Sequence, residues 1–376
     1  MRRLIALAAL ALAALALAPV APAATMGAYQ IAVEAPLTGP QGASGMDMLR
    51  GARLAVRELN QAGGVLGMKW QVVGYNDKAD ATTGLAVADR ILASHVNAMI
   101  GPYNSSVGVK TLPKLVKGGV FPVQLTSTDD TSGLGATVQP KNSQISPAEV
   151  DWMKANKAGK VSILWDPSTY TKGMADRMFK ALDRMGVLVT KIEIDPAATD
   201  YADVVAQALT NNPDTVYVST YYPQGALIAK ALAAEAAKGN VARCFMGLAN
   251  QDPAFIEAAG IPAAKRCVFS GSPTPAQFAN AEAKAYVANY RKTFGTEPGT
   301  WGIYYYDSVK LLAASIAAAG TTERDAFEQQ FLQTVGYAGA TGPITIDPKT
   351  GNRPNVPVAI LGVSAKGQFV LKSIHT

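Results

Sequence analysis

Short apolar stretches of β character alternate with longer segments of helical periodicity along most of the chain. Residues 29–35 and 70–75 are predicted strands, and 47–61 is a predicted helix because apolar residues recur at helical spacing from Leu49 to Leu59. The alternation continues with a helix at 79–94, a strand ending at 99–101, a helix at 107–117 and a strand at 121–125. This order of elements predicts a parallel, doubly wound sheet.

The same alternation starts again near residue 147 and predicts a second α/β unit. Its strands are expected at 161–165, 187–194, 215–220, 244–247 and 268–270, and its helices at 174–185, 201–210 and 225–238. Proline-bearing stretches at 140–147 and 271–275 are predicted to cross between the two units. The remaining residues predict helices at 276–294, 304–319 and 324–335, an extended stretch at 342–347 and a hairpin from 356–363 and 368–371.

Residues 1–25 have the composition of a secretory signal peptide. Arg2 and Arg3 precede an apolar run at 4–17, and 21–23 fits a small-residue cleavage site. A retained membrane anchor is the alternative, although the run is short for a membrane span. Removal of the two arginines lowers the formal net charge from +6 to +4. Because no dense Lys/Arg run occurs, nucleic-acid binding is not expected. The mature protein is expected to be exported, soluble and monomeric.

Two neighbouring predicted strands end in hydroxyl-bearing residues. Ser105 and Ser106 follow the first strand, and 126–128 (Thr-Ser-Thr) ends the second. Ligands of open parallel sheets bind at the carboxyl ends of the strands. A helix starting after Ser105 or Ser106 would also direct its positive end towards an anion, such as a carboxylate. The alternative is that Ser105, Ser106 and Thr128 simply cap helices.

The chain contains two cysteines, Cys244 and Cys267, each beside an apolar run of β character. Export permits a disulfide between them, but two buried thiols on neighbouring strands would give the same pattern. No Cys/His cluster indicates a metal site, and no cofactor-binding motif is present.

An ordered set of short motifs resembles the type I periplasmic solute-binding proteins of ABC importers, in particular the branched-chain amino-acid (Leu/Ile/Val) binding branch. The motifs cover nearly the whole mature chain: 36–40 (PLTGP), 51–56 (GARLAV), 59–67 (LNQAGGVLG), Asp77, Ile100-Gly101 ahead of Ser105-Ser106, 200–203 (DYAD), 304–307 (YYYD) and 342–347 (GPITID). The resemblance implies two Rossmann-like lobes joined by three crossing segments and closing on a ligand by hinge motion. Lobe 1 is expected at 26–146 with 274–346, and lobe 2 at 147–273 with 347–376.

The resemblance also implies a binding site. Ser105 matches a serine that binds a ligand carboxylate, while Tyr170 and Tyr221 match second-lobe tyrosines that close over the ligand. Packing at a strand end is the alternative role for either tyrosine. The full predicted binding set is Tyr103, Ser105, Ser106, Thr126, Ser127, Thr128, Tyr170, Tyr221, Tyr222 and Asn250.

The chain departs from the family pattern at several positions. Ala249 stands where amino-acid binders carry the acid that pairs with the ammonium group, unless Asp252 or another acid substitutes. A buried ammonium without a carboxylate would be costly, so these residues favour a small organic acid or amide with a flat apolar body. Ala79 and Asn104 occupy the positions of the family's first-lobe disulfide, and Val138-Gln139 lacks the arginine that often precedes the first crossing.

The resemblance implies an extracytoplasmic, periplasmic receptor that binds a small organic acid, amino acid or amide and delivers it to an ABC permease and its ATPase. A periplasmic sensor with the same fold is the alternative. An exported hydrolase is disfavoured, because His95 and His375 are the only histidines and no nucleophile motif accompanies them.

Overall fold

A computed structural model describes residues 27–375, so the predicted signal peptide lies outside the described residues. Strands of two separate sheets and one hairpin account for the extended segments. These are β1 (Tyr29–Ala35), β2 (Trp70–Asn76), β3 (Ala98–Ile100), β4 (Phe121–Val123), β5 (Lys160–Trp165), β6 (Leu188–Glu193), β7 (Thr215–Ser219), β8 (Arg243–Met246), β9 (Cys267–Gly271), β10 (Tyr337–Gly339), β11 (Gly342–Ile344), β12 (Val358–Val363) and β13 (Phe369–His375).

The helices flank the sheets and connect most of the strands. They are α1 (Gly42–Gln61), α2 (Ala81–Ala93), α3 (Ser105–Lys117), α4 (Asn142–Ala155), α5 (Thr169–Arg184), α6 (Ala202–Leu209), α7 (Tyr222–Ala237), α8 (Pro253–Ala259), α9 (Ile261–Ala264), α10 (Ala281–Phe294), α11 (Gly302–Ala319) and α12 (Arg324–Leu332). Within residues 27–375, none of these helices combines the length and apolarity that a membrane span requires.

Each lobe is built on one sheet. Lobe 1 has a parallel sheet in the order β2-β1-β3-β4, and lobe 2 has the order β13-β12-β9-β8-β7-β5-β6. Strand β12 is antiparallel to both β9 and β13, while the other pairs of the lobe 2 sheet are parallel. The α/β class and the doubly wound sheets predicted from sequence are therefore confirmed.

Helices α1 and α11 pack closely in the core of lobe 1. A Cβ atom at Gly51 would lie 1.9 Å from the Gly302 carbonyl oxygen, so a larger residue would separate the two helices. Asp47 joins them electrostatically, since its carboxylate accepts hydrogen bonds from the N–H groups of Gly299, Trp301 and Gly302 at 2.6–3.1 Å. The Tyr290 hydroxyl donates a fourth bond at 2.9 Å.

The structure differs from the sequence prediction at several elements. Helix α1 begins at Gly42 rather than Asp47, and α3 begins at Ser105 rather than Val107. Helix α4 occupies most of the segment predicted as a crossing, with Pro147 inside it. The buried side chains of Ile145, Ala148 and Met153 follow a helical period that outweighs this single proline. The short helices α8 and α9 were not predicted.

The first crossing between the lobes, at 137–141, and the third, at 347–353, run side by side. Thr137 forms an isolated bridge with Asn352, and the Arg353 N–H donates to the Thr137 carbonyl at 3.0 Å. The buried Arg353 guanidinium donates to the carbonyls of Val138, Thr341 and Pro343. A buried cation from the third crossing therefore lies beside the 138–139 segment.

A disulfide joins Cys244 of β8 to Cys267 of β9. The two residues are direct register partners in adjacent parallel strands, and both are buried. Of the two states that the sequence left open, the structure has the bridged one.

Candidate functional site

A small cavity lies between the lobes at the carboxyl ends of their central strands. Its volume is about 10 Å³, close to the smallest space that holds one water molecule. We call Tyr103, Ser105, Leu125 and Ser127 the lobe 1 wall, and Tyr170, Tyr221, Leu248 and Ala249 the lobe 2 wall. Entry of a larger molecule therefore requires the walls to separate or their side chains to rearrange.

The lobe 1 wall presents hydrogen-bond donors. Ser105 is the first residue of α3, and the preceding Asn104 makes no side-chain capping bond. The N–H groups of Ser105 and Ser106 donate to no acceptor within the described residues and remain available at the positive end of α3, whereas the Val107 N–H donates to the Asn104 carbonyl at 3.0 Å. The Ser105 Oγ accepts the Thr128 N–H at 3.2 Å, which leaves the hydroxyl proton free for another acceptor.

The segment 125–128 is held in place from behind by the first crossing. The Gln139 amide donates to the Ser127 Oγ at 3.1 Å, and the Asn142 N–H donates to the Ser127 carbonyl at 2.6 Å. The Lys141 ammonium donates to the carbonyls of Thr126 and Thr128 at 3.0 and 3.3 Å, and to the Thr131 hydroxyl at 2.8 Å. Desolvation lowers the pKa of Lys141 to about 7.

The lobe 2 wall combines two tyrosines with two aliphatic residues. The ring centroids of Tyr170 and Tyr221 lie 5.9 Å apart, and Tyr221 meets Tyr103 of the opposite wall at 6.5 Å. The Tyr103 ring also packs on Trp301 at 5.5 Å. Burial raises the pKa of Tyr170 well above its ordinary value, so its phenol is neutral at pH 7. The Tyr170 hydroxyl is buried and has no hydrogen-bond partner among the described residues.

Several polar contacts join one lobe to the other, among them three that involve residues at the start of α1, α3, α5, α7 and α8. The Ser44 hydroxyl donates to the Asp252 carboxylate, and the Tyr222 hydroxyl donates to the Pro40 carbonyl. The Thr169 N–H donates to the Ser106 Oγ at 2.9 Å. These contacts define a closed arrangement of the two lobes.

Asp252 does not line the cavity. Its Oδ1 accepts the Ala254 N–H at 2.8 Å at the start of α8, and its Oδ2 accepts the Ser44 hydroxyl. Burial raises its pKa, while these two bonds act in the opposite direction. None of the eight residues that line the cavity in the described chain is charged. The position of Ala249 on the lobe 2 wall is consistent with this neutral lining.

The structure brings five of the ten predicted binding residues to the cavity and places the other five around it. Tyr103, Ser105, Ser127, Tyr170 and Tyr221 line it. Ser106 and Tyr222 make contacts between the lobes. The Thr126 side chain turns towards Gln124 and Thr131, and the Thr128 hydroxyl faces Asp130. Asn250 is fully buried and donates to the carbonyls of Thr220 and Gly247, which makes it part of the lobe 2 framework.

Sequence reasoning missed several residues around the cavity. Leu125, Leu248 and Trp301 are ordinary apolar residues in the sequence, and no motif distinguishes them. Ser44 preceded the predicted start of α1, so its contact across the cleft was not foreseen. Lys141 follows a proline in a segment predicted as a crossing, where a lysine usually faces solvent; here the side chain is only 1% exposed.

Two lobes with doubly wound sheets, three crossings and a cavity between them define the class of two-lobed solute-binding proteins. The sequence profile of the periplasmic binding proteins matches residues 28–368. The chain belongs to that family, and specifically to its Leu/Ile/Val-binding branch. A Leu/Ile/Val-binding protein from Rhizobium johnstonii is 30% identical over 300 residues, which are 78% of this chain and 80% of the relative. A Leu/Ile/Val-binding protein homolog from Brucella abortus is 28% identical over 328 residues, or 85% and 86% of the two chains.

Solved structures show the same fold. A leucine-binding protein from Thermotoga maritima superposes with a TM-score of 0.84 at 24% identity, covering 92% of this chain and 98% of the other. A solute-binding protein from Rhodopseudomonas palustris in complex with 3,4-dihydroxybenzoic acid gives a TM-score of 0.81 at 20% identity, covering 93% and 97%. The recognition of the family and its two-lobed fold from sequence is thus confirmed.

Proposed function

We propose that the protein is an extracytoplasmic receptor that captures a small organic acid, amino acid or amide between its lobes and delivers it to an ABC permease. The closing units are lobe 1, near 26–146 with 274–346, and lobe 2, near 147–273 with 347–376. The observation that carries this proposal is the cavity itself, where the free hydroxyl proton of Ser105 at the start of α3 faces an aromatic wall.

Within that range, an acid without an ammonium group fits the cavity lining best. The ammonium group of an α-amino acid would need a buried carboxylate or several oxygen acceptors. Ala249 offers neither, and Asp252 already accepts two hydrogen bonds away from the cavity. The phenolic rings of Tyr103, Tyr170 and Tyr221 favour a flat apolar body. Two solute-binding proteins of the same fold from Rhodopseudomonas palustris are in complex with 3,4-dihydroxybenzoic acid and with benzoate, which is consistent with this preference.

We also propose binding without catalysis. His95 follows α2 and precedes β3, so it lies at the amino edge of the lobe 1 sheet, opposite the cavity. His375 ends the outermost strand of the lobe 2 sheet. A general base for a hydrolytic reaction must lie within hydrogen-bond reach of the substrate. Neither histidine lines the cavity.

Native mass spectrometry of the mature protein, with identification of any co-purified molecule, tests the proposal first. A thermal-shift panel then compares leucine, benzoate, 3,4-dihydroxybenzoate and the corresponding amides. Stabilisation that rises with the concentration of a carboxylate is the expected result, because a ligand of the folded state raises its stability by mass action. If leucine stabilises the protein and the aromatic acids do not, the preference for acids lacking an ammonium is wrong. Absence of any shift would contradict the receptor function.

A further inference from the structure

Lys141 is a buried cation directly behind the lobe 1 wall. Its side chain is 1% exposed, and its ammonium contacts oxygens of Gln124, Thr126, Thr128 and Thr131. All four are neutral carbonyl, amide or hydroxyl oxygens, so among residues 27–375 no carboxylate contacts this ammonium. A desolvated charge is usually paired with an opposite charge, and here that partner is missing.

The charged groups nearest to Lys141 have partners of their own. Asp129, in the short turn after Thr128, is the acid that acts on Lys141 through space. Its carboxylate is bound to Arg177 of α5 and to the Ser143 hydroxyl of α4. Asp130 accepts a hydrogen bond from the Thr128 hydroxyl at 3.4 Å. The charge of Asp129, the acid that acts on Lys141, is therefore already paired with Arg177.

The peptide between Thr126 and Ser127 connects Lys141 to the cavity. Its carbonyl accepts from the Lys141 ammonium, and in a trans peptide the N–H points in the opposite direction. That N–H belongs to Ser127, which lines the cavity, and it donates to no other group in the described chain. A cation on the carbonyl side polarises the peptide and makes this N–H a stronger donor.

We propose that Lys141 is the positioning residue that makes the lobe 1 wall selective for a negatively charged ligand. The ligand's carboxylate, bound by the Ser105 hydroxyl and the Ser127 N–H, supplies the negative charge that Lys141 lacks. This inference rests on the proposed function, because it assigns the ligand class of the same cavity. It adds a specific consequence, namely that binding an anion is linked to protonation of Lys141.

The direction of that linkage follows from electrostatics. An anion in the cavity stabilises the charged ammonium and raises its pKa above the ligand-free value of about 7. Carboxylate affinity is therefore greatest below that value and falls as the pH rises through it, until the pKa of the complex is reached. A neutral amide ligand has no such dependence on Lys141.

Isothermal titration calorimetry with benzoate and benzamide on the full mature protein tests the proposal. Between about pH 6 and pH 9, benzoate affinity should fall roughly tenfold, while benzamide affinity should change less than about twofold. Titrations in phosphate and in Tris buffer should reveal proton uptake on benzoate binding near pH 8, since the two buffers differ in ionisation enthalpy. A wild-type benzoate affinity that is independent of pH would overturn the proposal without any variant.

Three variants separate charge from structure. Lys141→Met should lose roughly tenfold in benzoate affinity at pH 6, lose the pH dependence and keep benzamide affinity. Lys141→Gln, which retains donors but no charge, should behave in the same way. Lys154→Met, an exposed lysine on α4, is the matched control and should bind both probes as the wild type does.

Each other outcome has a defined meaning. Equal weakening of benzoate and benzamide in Lys141→Met, or recovery of benzoate affinity in Lys141→Gln, would assign Lys141 a purely structural role and overturn the proposal. A wild-type protein that binds benzamide but not benzoate would overturn it as well and leave the receptor function intact. A protein that binds no acid or amide from the thermal-shift panel would overturn the proposed function, and this inference with it.

Discussion

The lobe 1 wall of the cavity consists largely of hydroxyl and amide donors held by buried polar groups, whereas the lobe 2 wall consists of aromatic rings and small apolar residues. Lys141 supports the lobe 1 wall at Thr126, and Asp47 of α1 accepts the N–H groups at the start of α11 next to it. Lobe 2 is built on a seven-stranded sheet, with a disulfide near the amino ends of β8 and β9. Directional bonds orient a ligand, and apolar area supplies affinity with little direction. We therefore propose that lobe 1 orients the ligand and that lobe 2 selects its shape.

Replacement of Asp47 gives the largest expected effect on lobe 1. Asp47→Ala would leave three backbone N–H groups and the Tyr290 hydroxyl without an acceptor. We expect a loss of about 3–5 kcal/mol in the free energy of unfolding, measured by urea denaturation. Hydrogen exchange should increase mainly in α1 and α11. Asp151→Ala, an exposed acid on α4, is the control, and a similar small loss in both variants would show that lobe 1 does not depend on this buried acceptor.

Removal of the disulfide is the corresponding test of lobe 2. The Cys244→Ala/Cys267→Ala protein lacks a cross-link that spans 23 residues of sequence. A loss of about 2–4 kcal/mol is expected, because the unfolded chain regains the entropy that the link removed. Faster hydrogen exchange should be confined to β8, β9 and their neighbours. Exchange that rises equally in both lobes would contradict the division of the molecule into two separately stabilised sheets.

The architecture could be predicted from the sequence because the alternation of strand and helix periodicity continues along most of the chain. An error at one element therefore does not change the predicted fold. The strands β1, β2 and β5 lie within one residue of their predicted bounds. Helix α4 was missed because Pro140 and Pro147 indicated a linker, although the buried positions around Ile145 follow a helical period. A proline indicates only a local break in a helix. Here the packing of the apolar face of α4 against the rest of the protein outweighs that local effect.

The site was predictable only where a residue type itself carries the chemistry. Ser105 and Tyr170 could be found from strand ends and from the family resemblance, and both line the cavity. Thr126 has the same residue type as a ligand-binding threonine, but its direction depends on Gln124 and Thr131, which no pattern encodes. The role of Lys141 depends on burial by distant elements. Sequence alone does not reveal such burial.

Ser105→Ala tests the donors of the lobe 1 wall. Loss of the hydroxyl should weaken binding of a carboxylate from the thermal-shift panel by roughly 1–3 kcal/mol, as measured by calorimetry. Ser106→Ala is a matched control on the next residue, since its hydroxyl accepts the Thr169 N–H from lobe 2 instead of lining the cavity. Its effect should be smaller, at most about 1 kcal/mol. Equal losses in the two variants would indicate that closure, rather than direct contact, determines the affinity.

Tyr170→Phe tests the lobe 2 wall through a buried hydroxyl that has no hydrogen-bond partner within the described residues. Because the Tyr170 hydroxyl is buried without a hydrogen bond, its removal should leave the ligand-free protein as stable or raise its stability by about 1 kcal/mol. The same change should weaken the binding of a ligand that accepts a hydrogen bond from this hydroxyl by about 1 kcal/mol.

Tyr217→Phe is the contrasting variant, since the Tyr217 hydroxyl donates to Glu149 at 2.8 Å. It should lower stability and leave ligand affinity unchanged. Loss of stability in Tyr170→Phe with no change in affinity would mean that this tyrosine belongs to the packing of lobe 2 and that the lobe 2 wall selects shape without a polar contact.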